Sequence, residues 1–130
     1  MNKKKLGEIK TLTESDKLVI QKMVDTLSKK TVVDQVILFG SKARGDHTEG
    51  SDTDILFVLD HPDSRQTFSL VSEAQFEALV QVDAPVMSIA FTKSKWNSDD
   101  VPGSLKANIL KDGVEIYPGM DLPVNTRGNR

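Results

Sequence analysis

Two apolar segments enclose a polar loop in residues 36–59, which read VILFGSKARGDHTEGSDTDILFVL. Val36 to Phe39 is a short apolar run that stops at Gly40, as a buried strand does where it enters a turn. Ile55 to Leu59 is a second apolar run of strand length. Because the loop between them is too short for a usual crossover helix, the pattern predicts two antiparallel strands.

The residues at the two ends of this loop suit a phosphate ligand and a metal ion. Gly40 permits a tight turn with close approach to the backbone, and Ser41 can cap a short helical turn whose N–H groups face an anion. Asp52 and Asp54 are two residues apart at the head of a strand, so both carboxylates point to one face, with Cα atoms about 6–7 Å apart. Magnesium takes one or two carboxylates and completes its shell with phosphate oxygens and water. The pattern predicts a site for a nucleoside triphosphate with magnesium.

The competing interpretation is a solvated hairpin loop, because Asp, Ser, Thr and Gly are all turn formers. The order of the pieces between two apolar strands argues against it. Two basic residues of the predicted turn have roles that stay open. Arg44 could bind a triphosphate oxygen as a fork, or it could be a solvated charge or part of an ion pair. Lys42 is expected to be a solvated charge or to hold the loop through an ion pair.

The spacing Gly40-Ser41, ten residues, then Asp52-Thr53-Asp54 resembles the nucleotidyltransferase superfamily of DNA polymerase beta. The fuller pattern Gly-Ser-x-Ala-Arg-Gly…Ser-Asp-x-Asp is similar to the minimal nucleotidyltransferase (MNT) domains, which include antitoxins paired with HEPN-domain toxins. The resemblance implies an α+β fold with a small mixed or antiparallel sheet and helices packed on one face. It also implies transfer of a nucleoside monophosphate, most simply AMP from ATP, to a hydroxyl group. Asp52 and Asp54 would be catalytic and would hold two Mg²⁺ ions, and Gly40, Ser41 and Arg44 would bind the nucleotide.

The resemblance also implies a third acidic residue on the neighbouring strand, and here the sequence departs from the pattern. The corresponding position falls on Met87 or Ser88, and neither is acidic. Asp83 is the nearest candidate catalytic acid, although it precedes Ala84-Pro85 in the turn that enters the strand. Two interpretations remain open. The acceptor hydroxyl loses its proton to another group or to water, or metal binding survives while transfer is slow or lost.

Bulk properties limit the remaining possibilities. The chain has 130 residues, a net charge of −2 and no cysteine, so we expect one domain without disulfides, thiol chemistry or a basic nucleic-acid footprint. No apolar run reaches membrane-spanning length and no signal peptide is visible, which predicts a cytoplasmic protein. We expect a basic, solvated tail over residues 1–12, the nucleotidyltransferase domain over 13–117 and a disordered tail over 118–130.

Periodicity and end signals place the other elements. A helix is predicted over Thr13–Lys30, with Thr13 as N-cap and Asp16 three residues on. A second helix is predicted over Gln66–Val82, and its expected buried stripe is Phe68, Val71, Phe76, Leu79 and Val80. The remaining predicted elements are the strands Asp34–Phe39, Thr53–Asp60, Pro85–Thr92 and Val114–Tyr117, the turn Ser41–Arg44, and a short helix Ser104–Lys111 closed by Gly113.

The acceptor is the least determined part of the prediction. A bare domain would have to borrow its acceptor site from a partner or from its own homo-oligomer. That favours a hydroxyl side chain of a partner protein, as the resemblance to MNT–HEPN pairs implies. Two alternatives stay open: a small-molecule acceptor such as an aminoglycoside, with the pocket formed between subunits, and a binding module that acts on a partner by contact alone.

Overall fold

The computed structural model describes residues 1–117, which form a five-stranded sheet and five α-helices. The strands are β1 (Asn2–Lys4), β2 (Val32–Phe39), β3 (Thr53–Asp60), β4 (Val86–Thr92) and β5 (Val114–Ile116). The helices are α1 (Glu14–Ser28), α2 (Ser41–Arg44), α3 (Ser64–Gln81), α4 (Lys93–Trp96) and α5 (Gly103–Asp112). The predicted α+β class is confirmed. The disordered tail predicted for residues 118–130 lies outside the described residues.

The sheet is mixed and has the strand order β1-β5-β2-β3-β4. Strands β2 and β3 are antiparallel, as predicted, with a register irregularity between Val33 and Gln35. Strand β5 is antiparallel to β2, whereas the β1–β5 and β3–β4 pairs are parallel. In these registers Phe39 lies beside Asp54 on one side and Met87 lies beside it on the other. Asp54 of the motif therefore lies between β2 and β4, the two strands that neighbour β3 in the sheet.

Both faces of the central strands are covered, which explains the continuous apolar runs at residues 36–39 of β2 and 55–59 of β3. Alternate residues such as Leu38, Ile55 and Phe57 join the large core formed with α1 and α3. Their neighbours along the strands, such as Ile37 and Leu56, face a smaller cluster with residues of α4 and α5. The expectation of helices on one face thus holds for the two long helices, while two short helices cover part of the other face.

The N-terminal segment is not a solvated tail, contrary to the prediction for residues 1–12. Strand β1 pairs with β5, and Leu6, Ile9 and Leu12 are buried in the large core. The lysines of β1 are exposed at the sheet edge. The prediction considered these basic residues and overlooked the apolar residues that follow them. Spacing of three between the buried residues follows a short 3-10 turn at Leu6–Glu8, which is too short to give a periodic pattern.

Helix α3 has the predicted position but a different buried face. Its buried residues are Thr67, Val71, Ala74 and Ala78. Of the predicted stripe, Phe68, Phe76 and Val80 are 66%, 71% and 70% exposed, Leu79 is partly buried, and only Val71 is buried. Small side chains let a helix approach a sheet closely, whereas the sequence pattern weighs residues by hydrophobicity alone. The buried stripe was therefore wrong at three positions.

The first helix is confirmed in detail. The Thr13 hydroxyl accepts from the Asp16 N–H at 3.0 Å, and the Asp16 carboxylate accepts from the Thr13 N–H at 3.0 Å. Gly113 closes α5 as predicted, with an ordinary φ of −67°. A Cβ atom there would lie 2.3 Å from the Ile109 carbonyl oxygen, so close packing explains this glycine. Within residues 1–117, no helix is long and apolar enough to cross a membrane.

Candidate active site

Gly40 joins β2 to the turn α2 and has a backbone conformation that side chains seldom permit. Its φ is 75° and its ψ is −157°, a region occupied almost only by glycine. A Cβ atom at this position would lie 2.1 Å from Oδ2 of Asp54. The space that the sequence suggested for a ligand is therefore used by the Asp54 carboxylate, which lies directly against the glycine backbone.

The two motif aspartates differ in environment. Asp52 is exposed in the loop, whereas Asp54 is half-buried in β3 and its Oδ1 atom is buried without a hydrogen-bond partner. Burial raises the pKa of Asp54, and the negative charge of Asp52 raises it further; the positive charges of Arg44 and Lys42 oppose this increase. A carboxylate with an unpaired buried oxygen and a second carboxylate nearby is an environment that a divalent cation would satisfy. The residues present therefore fit the implied magnesium ions.

Arg44 lies at the end of α2, on the exposed side of the motif. Its Nε donates to Oδ2 of Asp46 at 3.1 Å. The hydrogen bond that Arg44 donates to Asp46 and the negative charge of Asp46 raise the pKa of Arg44, and the charge of Asp54 contributes to the same effect. Arg44 therefore lies within the electrostatic field of Asp54 while remaining accessible to a ligand. Ser41, predicted to bind phosphate, begins the α2 turn, where the first N–H groups of a helix have no intrahelical acceptor.

Lys42 is buried, with a side-chain exposure of 7%. Its Nζ donates to Oδ2 of Asp16 at 2.9 Å and to Oγ1 of Thr53 at 2.9 Å. Burial opposes ionisation of Asp16, but the hydrogen bonds from Lys42 and Thr13 outweigh it, so the pKa of Asp16 is lowered. Of the roles considered for Lys42, the structure supports the ion pair that holds the loop.

Lys42, Asp16 and Thr53 form a buried polar network that connects the start of α1 to the head of β3. Thr53 is the residue between the two motif aspartates, so the network fixes the strand segment that carries them. Sequence reasoning missed this network, although it identified Asp16 as a capping residue. Asp16 is 26 residues from Lys42 in sequence and Thr53 is 11 residues from it. No local sequence pattern links positions at such separations.

The position beside Asp54 on β4 is occupied by Met87, which is 49% exposed. The next residue, Ser88, points to the opposite face and donates to Oε1 of Gln75 on α3. Asp83 is exposed in the connection before β4 and lines a hollow together with Ser51. No group of three carboxylate, imidazole or thiol side chains that could hold a metal ion occurs within residues 1–117. The structure therefore does not join Asp83 to the two motif aspartates.

Three buried side-chain atoms in the described residues lack a hydrogen-bond partner, and two of them belong to the motif segment. One is Oδ1 of Asp54 and the other is Nδ1 of His47, which is half-buried in the loop. Buried polar atoms are normally paired, so unpaired ones concentrated in one segment indicate a binding site. This observation and the fold lead to the same class of protein.

That class is a nucleotidyltransferase. The profile of the family described as "Nucleotidyltransferase domain" matches residues 20–116, so the chain belongs to this family and to the superfamily that resembles DNA polymerase beta. Members of the family act on a nucleotide and generally use divalent metal ions.

A similar protein is named as a candidate protein adenylyltransferase of Methanocaldococcus jannaschii. It is 30% identical over 105 residues, which are 79% of this chain and 99% of the relative. A solved structure with a similar fold is that of a candidate nucleotidyltransferase from Sulfolobus solfataricus. It has a TM-score of 0.53 and 21% identity, and the match covers 83% of this chain and 85% of the other. The predicted fold family and the predicted enzyme class are confirmed.

Proposed function

We propose that this nucleotidyltransferase moves AMP from magnesium-bound ATP to a hydroxyl side chain of a partner protein. The observation that carries the metal-dependent part is the buried, unpaired Oδ1 of Asp54 beside a second carboxylate. The protein acceptor is supported by the relative of Methanocaldococcus jannaschii, which is named as a candidate protein adenylyltransferase and which the match spans almost completely.

Asp52 and Asp54 would hold Mg²⁺, with two ions when the nucleotide is bound. When bound, the metal would polarise the transferred phosphoryl group and neutralise the charge of the leaving pyrophosphate. Gly40 leaves room for the Asp54 carboxylate, because any side chain at this position would collide with it. Ser41 and Arg44 would contact the triphosphate oxygens, Arg44 with its guanidinium fork. Positioning and charge neutralisation would supply most of the catalysis, as in other phosphoryl-group transfers.

The acceptor proton has no evident base on β4, because Met87 occupies the position beside Asp54. We therefore assign the proton to water or to a group of the acceptor protein. Asp83 stays a weaker candidate, since within the described residues it does not form a three-ligand cluster with Asp52 and Asp54. A partner-supplied base agrees with the proposal that the acceptor is a protein such as a HEPN-type partner.

The test is a transfer assay with ATP labelled at the α-phosphate, carried out with magnesium and an extract of the source cells. The proposal predicts label in a protein band and a mass increase of one AMP on a hydroxyl residue. ATP labelled at the γ-phosphate should leave that band unlabelled. Label found only in the small-molecule fraction would contradict the protein acceptor and favour the antibiotic-type alternative.

A second candidate function is favoured by Met87, because the missing third carboxylate could leave a module that acts on its partner by contact alone. The Asp52→Asn/Asp54→Asn double variant separates the two functions. Loss of labelling with retained partner binding supports the enzyme. If the double variant still acts on its partner as strongly as the wild type does, that result supports the contact module.

A further inference from the structure

The two edges of the sheet are built differently. Edge strand β1 has three residues, two of which are lysines. Edge strand β4 has seven residues, VMSIAFT, with no charge and no proline, and it pairs with β3 without a register shift. Short strands, lysines and bulges are the devices that protect sheet edges from pairing with another chain. Within the described residues β4 lacks all of them and has no neighbour on its outer side.

Helix α3 carries an exposed aromatic side chain beside this edge. The Ser88 hydroxyl donates to Gln75, so the Gln75 side of α3 faces β4. Phe68 is seven residues before Gln75 and Leu79 is four residues after it, which places both on the same side of the helix. Phe68 is 66% exposed. A monomer seldom leaves a large aromatic side chain exposed beside an open strand edge.

We propose that this surface, here called the β4 face and formed by Val86–Thr92 with Phe68, binds the same surface of a second copy of the chain. The two β4 strands would pair in antiparallel orientation and join the sheets of both copies. Full overlap of the seven residues places Ile89 opposite Ile89 of the second copy. A two-fold symmetric contact requires a self-complementary surface of this kind.

Charge complementarity selects a second copy as the occupant. Beyond one end of β4 lies the acidic residue Asp83, and beyond the other end lies the basic residue Lys95, whereas Lys93 is already paired with Asp34 at 3.6 Å. In the full-overlap register the acidic end of each strand meets the basic end of the other. An unrelated strand would have no reason to match this polarity.

The contact would also border the candidate active site. Met87 lies beside Asp54 on β3, and the same register places Met87 opposite Phe91 of the second copy. Phe91 of the second copy would thus lie close to the site that contains Asp52 and Asp54. The proposal concerns assembly and does not depend on the proposed transfer reaction.

A cysteine variant tests the register directly, because the chain contains no cysteine. Directly opposed residues of antiparallel strands have Cα atoms about 4.5–5.5 Å apart, which a disulfide can span. We expect Ile89→Cys to form a covalent dimer rapidly on mild oxidation of the full chain at micromolar concentration. The control Val32→Cys replaces an apolar residue that is 62% exposed on β2, away from the β4 face. Equal crosslinking rates for the two variants would overturn the proposal.

Sedimentation of the full chain over a concentration series provides a second test that needs no change in the strand. We expect a reversible dimer whose dissociation constant rises roughly tenfold in Asp83→Lys or Lys95→Glu and recovers when both changes are combined. Phe68→Ser should weaken the dimer while MgATP binding stays at the wild-type level. Leu18→Ser, at an exposed position of α1, should not weaken it. A monomer at every concentration, or a dimer whose dissociation constant is unchanged by Asp83→Lys, Lys95→Glu and Phe68→Ser, would overturn the proposal.

Discussion

The carboxylate of Asp54 lies against the backbone of Gly40, with one oxygen buried and unpaired. Because the pKa of Asp54 is raised, the folded protein keeps this proton to higher pH than the unfolded chain does. Ionisation of Asp54 therefore lowers stability as the pH rises through the raised pKa. A bound divalent cation would remove this cost. The ionised Asp54 carboxylate therefore destabilises the folded protein unless a metal ion is bound.

The contact between Gly40 and Asp54 can be tested by adding a single methyl group. Gly40→Ala should displace the Asp54 carboxylate, because the new Cβ would lie 2.1 Å from Oδ2. We expect loss of magnesium-dependent ATP binding together with a stability cost of about 1–3 kcal/mol from the backbone strain. Calorimetry and chemical unfolding measure the two effects separately.

Gly45→Ala is the matched control for this change. Gly45 also has a positive φ, 87°, but nothing lies within 4 Å of the Cβ position. It should show a backbone cost without loss of ATP binding. Equal losses of ATP binding in the two variants would show that strain in the turn, rather than contact with Asp54, is responsible.

The buried ion pair between Lys42 and Asp16 has a cost that depends on which partner is removed. Lys42→Met leaves the Asp16 carboxylate buried without its cation, which should destabilise the protein by about 3–5 kcal/mol. The double variant Asp16→Asn/Lys42→Met leaves no buried charge and should be less destabilised. Urea unfolding at neutral pH measures both. A Lys42→Met variant as stable as the wild type would contradict the assigned structural role.

The pH dependence follows from the same pair. The pKa of Asp16 is lowered from 3.8 in the folded protein. The stabilisation is therefore complete above the ordinary pKa and is lost as the pH falls through the lowered value. We expect the loss of stability in acid to be shallower in Asp16→Asn than in the wild type. The identical slope in both proteins would contradict the lowered pKa.

At the scale of the elements, the register between β3 and β4 decides which residue could complete the site. Met87→Asp would place a carboxylate beside Asp54 on the same face of the sheet. If the missing acid limits the rate, we expect transfer at saturating magnesium to rise roughly a hundredfold, the low end of general-base effects. Labelling of the acceptor measures this rate.

Ser88→Asp is the register control for that gain. A shift of one residue along a strand reverses the face of the side chain, and Ser88 contacts Gln75 on α3. This variant should lose stability and gain no activity. A gain in Ser88→Asp rather than in Met87→Asp would mean that the register is displaced by one residue.

The elements also show where sequence reasoning succeeds. The capping pair Thr13 and Asp16 begins α1 as predicted, because caps depend on residues only three positions apart. The strand β3 was predicted with its observed bounds, since both its faces are apolar. In α3 the pattern failed, because the helix buries Ala74 and Ala78 and exposes Phe76. Hydrophobicity alone cannot show that a close helix–sheet approach favours small residues.

At the scale of the whole molecule, the motif was sufficient to identify the family, because its residues act within one loop of the chain. The network of Lys42, Asp16 and Thr53 was not predictable, since it depends on how α1 packs beside β3. The same limit applies to the N-terminal segment, where Leu6 and Ile9 become core residues only once β1 has paired with β5. Contacts distant in sequence therefore required the structure.

The central claim is that Asp52 and Asp54 form a magnesium-dependent nucleotide site. The most direct measurement is calorimetric titration of MgATP into the wild type, Asp54→Asn and the matched variant Asp60→Asn. Asp60 is exposed at the opposite end of the same strand. We predict binding by the wild type and Asp60→Asn in magnesium, and loss of that binding in Asp54→Asn or in the presence of a metal chelator. Equal binding by all three proteins, or binding unaffected by the chelator, would contradict the assignment of the site.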